Sequence, residues 1–128
     1  MSEFVPFKIA KKLEEKGFNL PILEIYGKFD SDGFFHSQLY CNYCETMDSK
    51  EIVAPTISQV LKWLRVKKKL HIMIDIWKVD LNNTTYKWGY DIVNLTTTHV
   101  EGSDTQCANS FEQASLAGIE YILDNNLI

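Results

Sequence analysis

A chain of 128 residues, 45% hydrophobic and 23% charged, has the size and composition of one globular domain with its own core, and it is too rich in aromatic and β-branched residues for a disordered segment. Its formal net charge of −4 gives it no general attraction to phosphate backbones, which disfavours nucleic acid as a partner. No run reaches the roughly 18 apolar residues of a membrane helix, the start Met1-Ser2-Glu3-Phe4-Val5-Pro6 lacks the basic and apolar regions of a secretory signal, and three cysteines without a spaced framework suit free thiols in a reducing compartment, so a cytoplasmic location is expected.

The charge is unevenly spread. Residues 1–69 carry 11 basic and 9 acidic side chains, residues 70–128 only 2 basic and 8 acidic. Asn82, Asn83 and Asn94 each open an Asn-x-Thr sequon, which has no meaning without export.

The first predicted element is a helix over residues 6–16. Pro6 suits a first turn, where its missing N–H has no intrahelical partner to lose. Val5, Ile9, Ala10, Leu13 and Phe18 form its apolar stripe, and Gly17 stands where a left-handed terminating residue belongs. A strand is expected over 20–27, then a turn at Phe29-Asp30-Ser31-Asp32-Gly33 and a second strand over 33–40. Residues 41–50 are polar and irregular and read as a loop.

The second helix has a sharp start. Pro55 precedes Thr56-Ile57-Ser58-Gln59, a Thr-x-x-Gln capping box, and Ile57, Val60, Leu61 and Leu64 follow at one-face spacing. Lys67, Lys68 and Lys69 close it, where cations favour the negative end of the helix dipole. Residues 70–79 alternate as a strand, with Leu70, Ile72, Ile74 and Ile76 on one face and His71, Met73, Asp75 and Trp77 on the other. After a turn over 80–84, residues 85–95 return as a strand in which Tyr86, Trp88, Tyr90 and Ile92 alternate against Lys87, Gly89, Asp91 and Val93. Residues 96–109 read as a loop. Ser110-Phe111-Glu112-Gln113 is a second capping box, opening a helix whose buried stripe is Phe111, Ala114, Ala117, Gly118, Tyr121 and Ile122. The order α-β-β-α-β-β-α implies a single α+β domain: four strands in a mostly antiparallel sheet, with helices packed on one face.

Several stretches carry a likeness. Phe4-Val5-Pro6-Phe7-Lys8-Ile9-Ala10-Lys11-Lys12-Leu13 runs into Lys16-Gly17-Phe18. Ala54-Pro55-Thr56 leads into Gln59-Val60-Leu61-Lys62-Trp63-Leu64-Arg65. Trp88-Gly89-Tyr90 and Ser110-Phe111-Glu112-Gln113-Ala114 through Gly118-Ile119-Glu120 follow. Together, over most of the chain, these resemble a group of small uncharacterised proteins of gut Bacteroides-type bacteria and their prophages. The resemblance implies a bacterial, phage-associated protein and carries over no site residues. The final strand, loop and helix are also similar to HicB-type antitoxins, in which an aromatic strand precedes a helix with a Glu-x-Ala start. That implies partner binding.

Cys41-Asn42-Tyr43-Cys44 has metal-ligand spacing, but a structural zinc site needs four ligands. The remaining candidates, Cys107, His36, His71 and His99, form no second pair, so no metal and no cofactor are expected. The three histidines have no nucleophile or acid at a recognisable spacing. Asp30 and Asp32 are explained by turn chemistry. Lys62, Arg65, Lys67, Lys68 and Lys69, beside Trp63, form the one basic cluster and the only imaginable nucleic-acid contact. The aromatic strands are more informative. If helices fill one sheet face, Met73 and Trp77 lie on the other, with Trp88 and Tyr90 in reach, and an exposed apolar face marks an interface. The expected partner is a protein, most simply a second copy in a homodimer. A non-enzymatic accessory module of a mobile element therefore leads, a nucleic-acid-associated protein follows, and an enzyme is third.

Overall fold

A computed structural model describes residues 3–37, 51–80, 82, 85–102 and 108–128. The fold is α+β with antiparallel sheets, and the chain forms two compact units, Met1–Gln59 and Val60–Ile128.

In the first unit, helix α1 (Phe7–Glu15) starts after Pro6, whose carbonyl accepts the Ala10 N–H at 2.9 Å. Ile9, Ala10 and Leu13 are buried on its stripe. The helix ends as the sequence predicts. Gly17 takes φ +85°, its N–H bonds the Glu14 carbonyl, and the Phe18 N–H reaches back to Leu13. Both Leu13 and Phe18 are buried, which completes a Schellman motif with its hydrophobic contact.

The strand expected over 20–27 does not form. Pro21 instead opens a 3₁₀ turn at Ile22–Glu24, closed by Glu24 N–H to the Pro21 carbonyl at 2.8 Å. Proline presets φ for such a turn and cannot donate to a ladder. Leu23 is consequently 90% exposed. The chain becomes extended only at β1 (Gly27–Phe29), which pairs with β2 (Phe35–Ser37) and with β3 (Ile52–Val53) in the order β2-β1-β3. The expected turn is present: Asp30 Oδ1 accepts the N–H groups of Asp32 and Phe34 at 2.9 Å each, and Gly33 adopts φ +86°. Phe29 lies at the centre of an aromatic cluster, 5.4 Å from Phe7 and 5.9 Å from Phe35, with Phe4 against Phe35 at 4.7 Å.

Helix α2 (Ile57–Lys67) begins in the first unit and continues into the second. Its capping box is reciprocal. Gln59 N–H donates to Thr56 Oγ1 at 3.2 Å, and Thr56 N–H donates to Gln59 Oε1 at 2.9 Å. Gln59 Nε2 also donates to the Glu24 carbonyl, tying the 3₁₀ turn to the helix start. Val60, Trp63 and Leu64 are buried.

In the second unit, β4 (Leu70–Asp80), β5 (Thr85–Asn94) and β6 (Val100–Gly102) form an antiparallel sheet in the order β4-β5-β6. Helix α3 (Phe111–Asp124) packs on one face of β4 and β5, with Gly118 against Ile72 and Tyr90. Ser110 caps it by accepting the Gln113 N–H at 3.1 Å. The described strands therefore number six in two three-stranded sheets, where four in one sheet are expected from sequence. Strands β3 and β6, two and three residues long, lie outside every stretch expected to be a strand, and β1 overlaps the expected first strand only at Gly27. Strands so short carry no periodicity and exist through the partner they pair with.

Candidate interaction surface

The register of β4 against β5 decides which side chains share a face. Ile72 stands opposite Ile92, Ile74 opposite Tyr90 and Ile76 opposite Trp88. Directly opposed residues of an antiparallel pair point the same way. Trp88 and Tyr90 therefore lie on the isoleucine face, the face on which α3 packs, and not with Met73. Tyr90 is buried, with its ring 6.0 Å from that of Tyr121. This corrects the expected grouping of Met73, Trp77, Trp88 and Tyr90. Met73 is 45% exposed on the opposite face, across from Asp91. Trp77 belongs to β4 by its backbone, where the register shifts between Ile76 and Lys78, and its side chain lies outside the described part.

A second correction follows from length. Helix α3 has 14 residues and spans about 21 Å at 1.5 Å per residue, whereas the 11 residues of β4 span about 36 Å. The helix cannot cover the hairpin to its tip. Ile76, expected in the buried row, is 47% exposed, and Phe111, expected in the helix's buried stripe, is 43% exposed. Tyr86 is 51% exposed and Trp88 is half-buried. These side chains form one apolar row past the start of α3. The Trp88 ring lies 5.9 Å from Tyr86 and 5.9 Å from Phe111, both edge-on, and Ile76 is opposite Trp88. Beside the row, Lys87 Nζ donates to Asn109 Oδ1. Comparing helix and strand lengths in the sequence is the signal that finds this surface.

The other expected sites are dispersed. Cys41, Cys44 and Cys107 lie outside the described residues. Among the described residues no group of three or more His, Cys, Asp or Glu is arranged to hold a metal ion. His36 Nε2 meets Asp30 Oδ2 at 2.9 Å, a pair six residues apart that hairpin register creates. This partner holds the Asp30 carboxyl below its usual value, helped by the N–H of Phe34. His71 is half-buried opposite Val93, and His99 lines a shallow recess with Asn94 and Glu101. Tyr121 donates its hydroxyl to Glu101 at 3.2 Å. Burial first, and Glu101 second, push its phenol up, while burial does the same to Tyr90. Lys62, Arg65, Lys67, Lys68 and Lys69 are all exposed, and Lys68 Nζ stands 5.4 Å from the Trp63 ring centre.

Among the described residues no helix is long and apolar enough to cross a membrane. Comparison of the chain with protein-family models, with curated proteins and with solved structures gives no match.

Proposed function

We propose that the protein is a non-enzymatic interaction module, an accessory protein of a bacterial mobile element acting in the cytoplasm, and that its contact surface is the row Ile76, Tyr86, Trp88 and Phe111. The observation that carries this reading is the half-exposed edge-on stacking of Trp88 between Tyr86 and Phe111. Large aromatics left in water cost free energy that a partner recovers, and Trp and Tyr dominate the centres of interfaces. A second copy is the simplest partner, because a twofold contact buries the same row on both chains. Sedimentation of the whole chain at micromolar concentration tests this. A dimer that Trp88→Ala dissociates supports self-pairing. A monomer that captures a different protein through Trp88 makes that protein the partner. An association indifferent to both Tyr86→Ser and Trp88→Ala removes the row from function.

The basic end of α2 supports the second reading, a nucleic-acid contact, because its five cations are all exposed. Binding to random-sequence DNA that falls steeply with salt, and that charge reversal at Lys62 and Arg65 abolishes, is its expected signature.

A further inference from the structure

The outer edge of β4 has a defined hydrogen-bonding face. Trp88 exchanges both backbone bonds with Ala108, N–H to O at 2.9 Å and O to N–H at 2.8 Å, on the side of β5 away from β4. Asn94 donates its N–H in the same direction, to His99. Backbone groups alternate along a strand, so the even-numbered residues of β5 point away from β4, and residues opposite them across a non-bonded pair point outward too. Those are Leu70, Ile72, Ile74 and Ile76. Among the described residues no strand pairs with this edge. Leu70 and Ile72 are buried, Ile74 is half-buried, and Asp75 and Ile76 are exposed, so the strand becomes solvent-accessible over Ile74–Ile76.

Within that stretch the Ile76 N–H is taken by the side chain next to it, Asp75 Oδ1, at 2.7 Å. A carboxylate that caps an outward donor keeps a bare edge from pairing indiscriminately. It also marks where an incoming carbonyl goes, and it supplies a charge. Asp75 shares its sheet face with Asp91 and with exposed Met73, while the other face at this point carries Ile76 and Trp88.

We infer that the β4 edge at Ile74–Ile76 receives an extended segment of another protein by strand addition, with the pattern apolar–basic–apolar. The inference rests on the interaction-module reading and names its recognition mode. The two apolar side chains of the segment lie opposite Ile74 and Ile76, on the side of Trp88. The basic side chain between them lies opposite Asp75. The partner's carbonyl replaces Asp75 Oδ1 on the Ile76 N–H, and the freed carboxylate pairs with the incoming cation. Main-chain bonds supply affinity and the alternating side chains supply specificity. A second copy fits this edge less well, because antiparallel self-pairing about Asp75 sets two carboxylates side by side and like charges directly opposed are destabilising.

The probe is a short acetylated and amidated peptide alternating valine and lysine, added to the ¹⁵N-labelled whole chain. The expected result is a shift and slowed hydrogen exchange at the amides of Ile74 and Ile76. Binding weakens as salt rises from about 0.05 to about 0.3 M, because the ion pair is screened. Asp75→Asn weakens it about fivefold, the upper end for an exposed ion pair. Methylating the valine nitrogens, which face the edge, abolishes it. Equal binding of a valine–glutamate peptide, or of the methylated one, overturns the inference. So does concentration-dependent protection of the β4 amides without peptide, which makes a second copy the occupant. Shifts confined to Tyr86, Trp88 and Phe111 also overturn strand addition, and leave the aromatic row standing as the contact surface.

Discussion

The rings of Trp88 and Phe111 meet at 89° with centroids 5.9 Å apart, which places the first residue of α3 against the middle of β5. Edge-to-face pairs of this kind contribute about 1 kcal/mol beyond the area they bury. Phe111→Ala is therefore expected to lower unfolding stability by about 1 kcal/mol or somewhat more. Urea denaturation measures it. An unchanged midpoint means that Phe111 is not held by Trp88 in solution.

Gly118 has no room for a side chain. An added Cβ stands 2.8 Å from Ile72 Cγ2 and 3.4 Å from the Tyr90 ring. Alanine raises helix propensity by about 1 kcal/mol over glycine. Against that, Ile72 is buried and stiff at χ1, and overpacking of this kind costs about 1–3 kcal/mol. The clash wins. Gly118→Ala is expected to lose about 1 kcal/mol net in the same denaturation assay, and a gain in stability disproves the close packing of α3 on β4.

The carboxyl of Asp30 is held below its usual 3.8 by His36 and by the Phe34 N–H. A carboxylate with a depressed folded-state value stabilises the fold at pH values above its unfolded value. That stability is lost as pH falls through the folded value. The hairpin of β1 and β2 is thus expected to loosen on acidification only below the ordinary carboxylate range. In an NMR titration His36→Asn should move the Asp30 midpoint upward. An unmoved midpoint rules out the pair.

Tyr121 behaves in the opposite sense. Its phenol is raised above 10.0 by burial and by Glu101, so its contribution is complete below pH 10 and is lost as pH rises through the folded value. Tyrosinate absorbance of the native protein should show a late component from Tyr121 and Tyr90, which Tyr121→Phe reduces but does not abolish. If the variant titrates like the parent, the hydroxyl does not sit against Glu101.

The features legible in the sequence are those whose causes are local. Thr56 with Gln59, Ser110 with Gln113, and Gly17 after α1 are each set by a few consecutive residues; the first and last adopt the expected geometry, while Ser110 caps Gln113 as expected but the Gln113 Oε1 accepts the Asn109 N–H in place of that of Ser110. The alternation beginning at Leu70 is equally clear, because one buried face imposes a period of two. What stays hidden depends on partners far along the chain. Whether Trp88 joins Met73 or Ile76 is decided by the turn after Asp80 and the shift beside Trp77, neither of which periodicity reveals. Lys69 and Asn126 both take positive φ, at 57° and 52°, where glycine is the usual signal. Asn126 ends α3 in a second Schellman arrangement, with Leu127 N–H on the Ile122 carbonyl at 3.0 Å. An aromatic residue at a helix start reads as core, and only the short reach of α3 exposes Phe111.

The hairpin of β4 and β5 also sets an order of events as the chain folds. Its innermost pair, Asp80 with Thr85, is five positions apart, and each further pair outward closes only a slightly larger loop. The entropic cost of closure grows slowly with loop length, so the ladder can zip from its tip without waiting for distant segments. On this route α3 docks onto a hairpin that local encounters have assembled. The pair nearest the turn, Asp80 with Thr85, is on this route the first of the ladder to close.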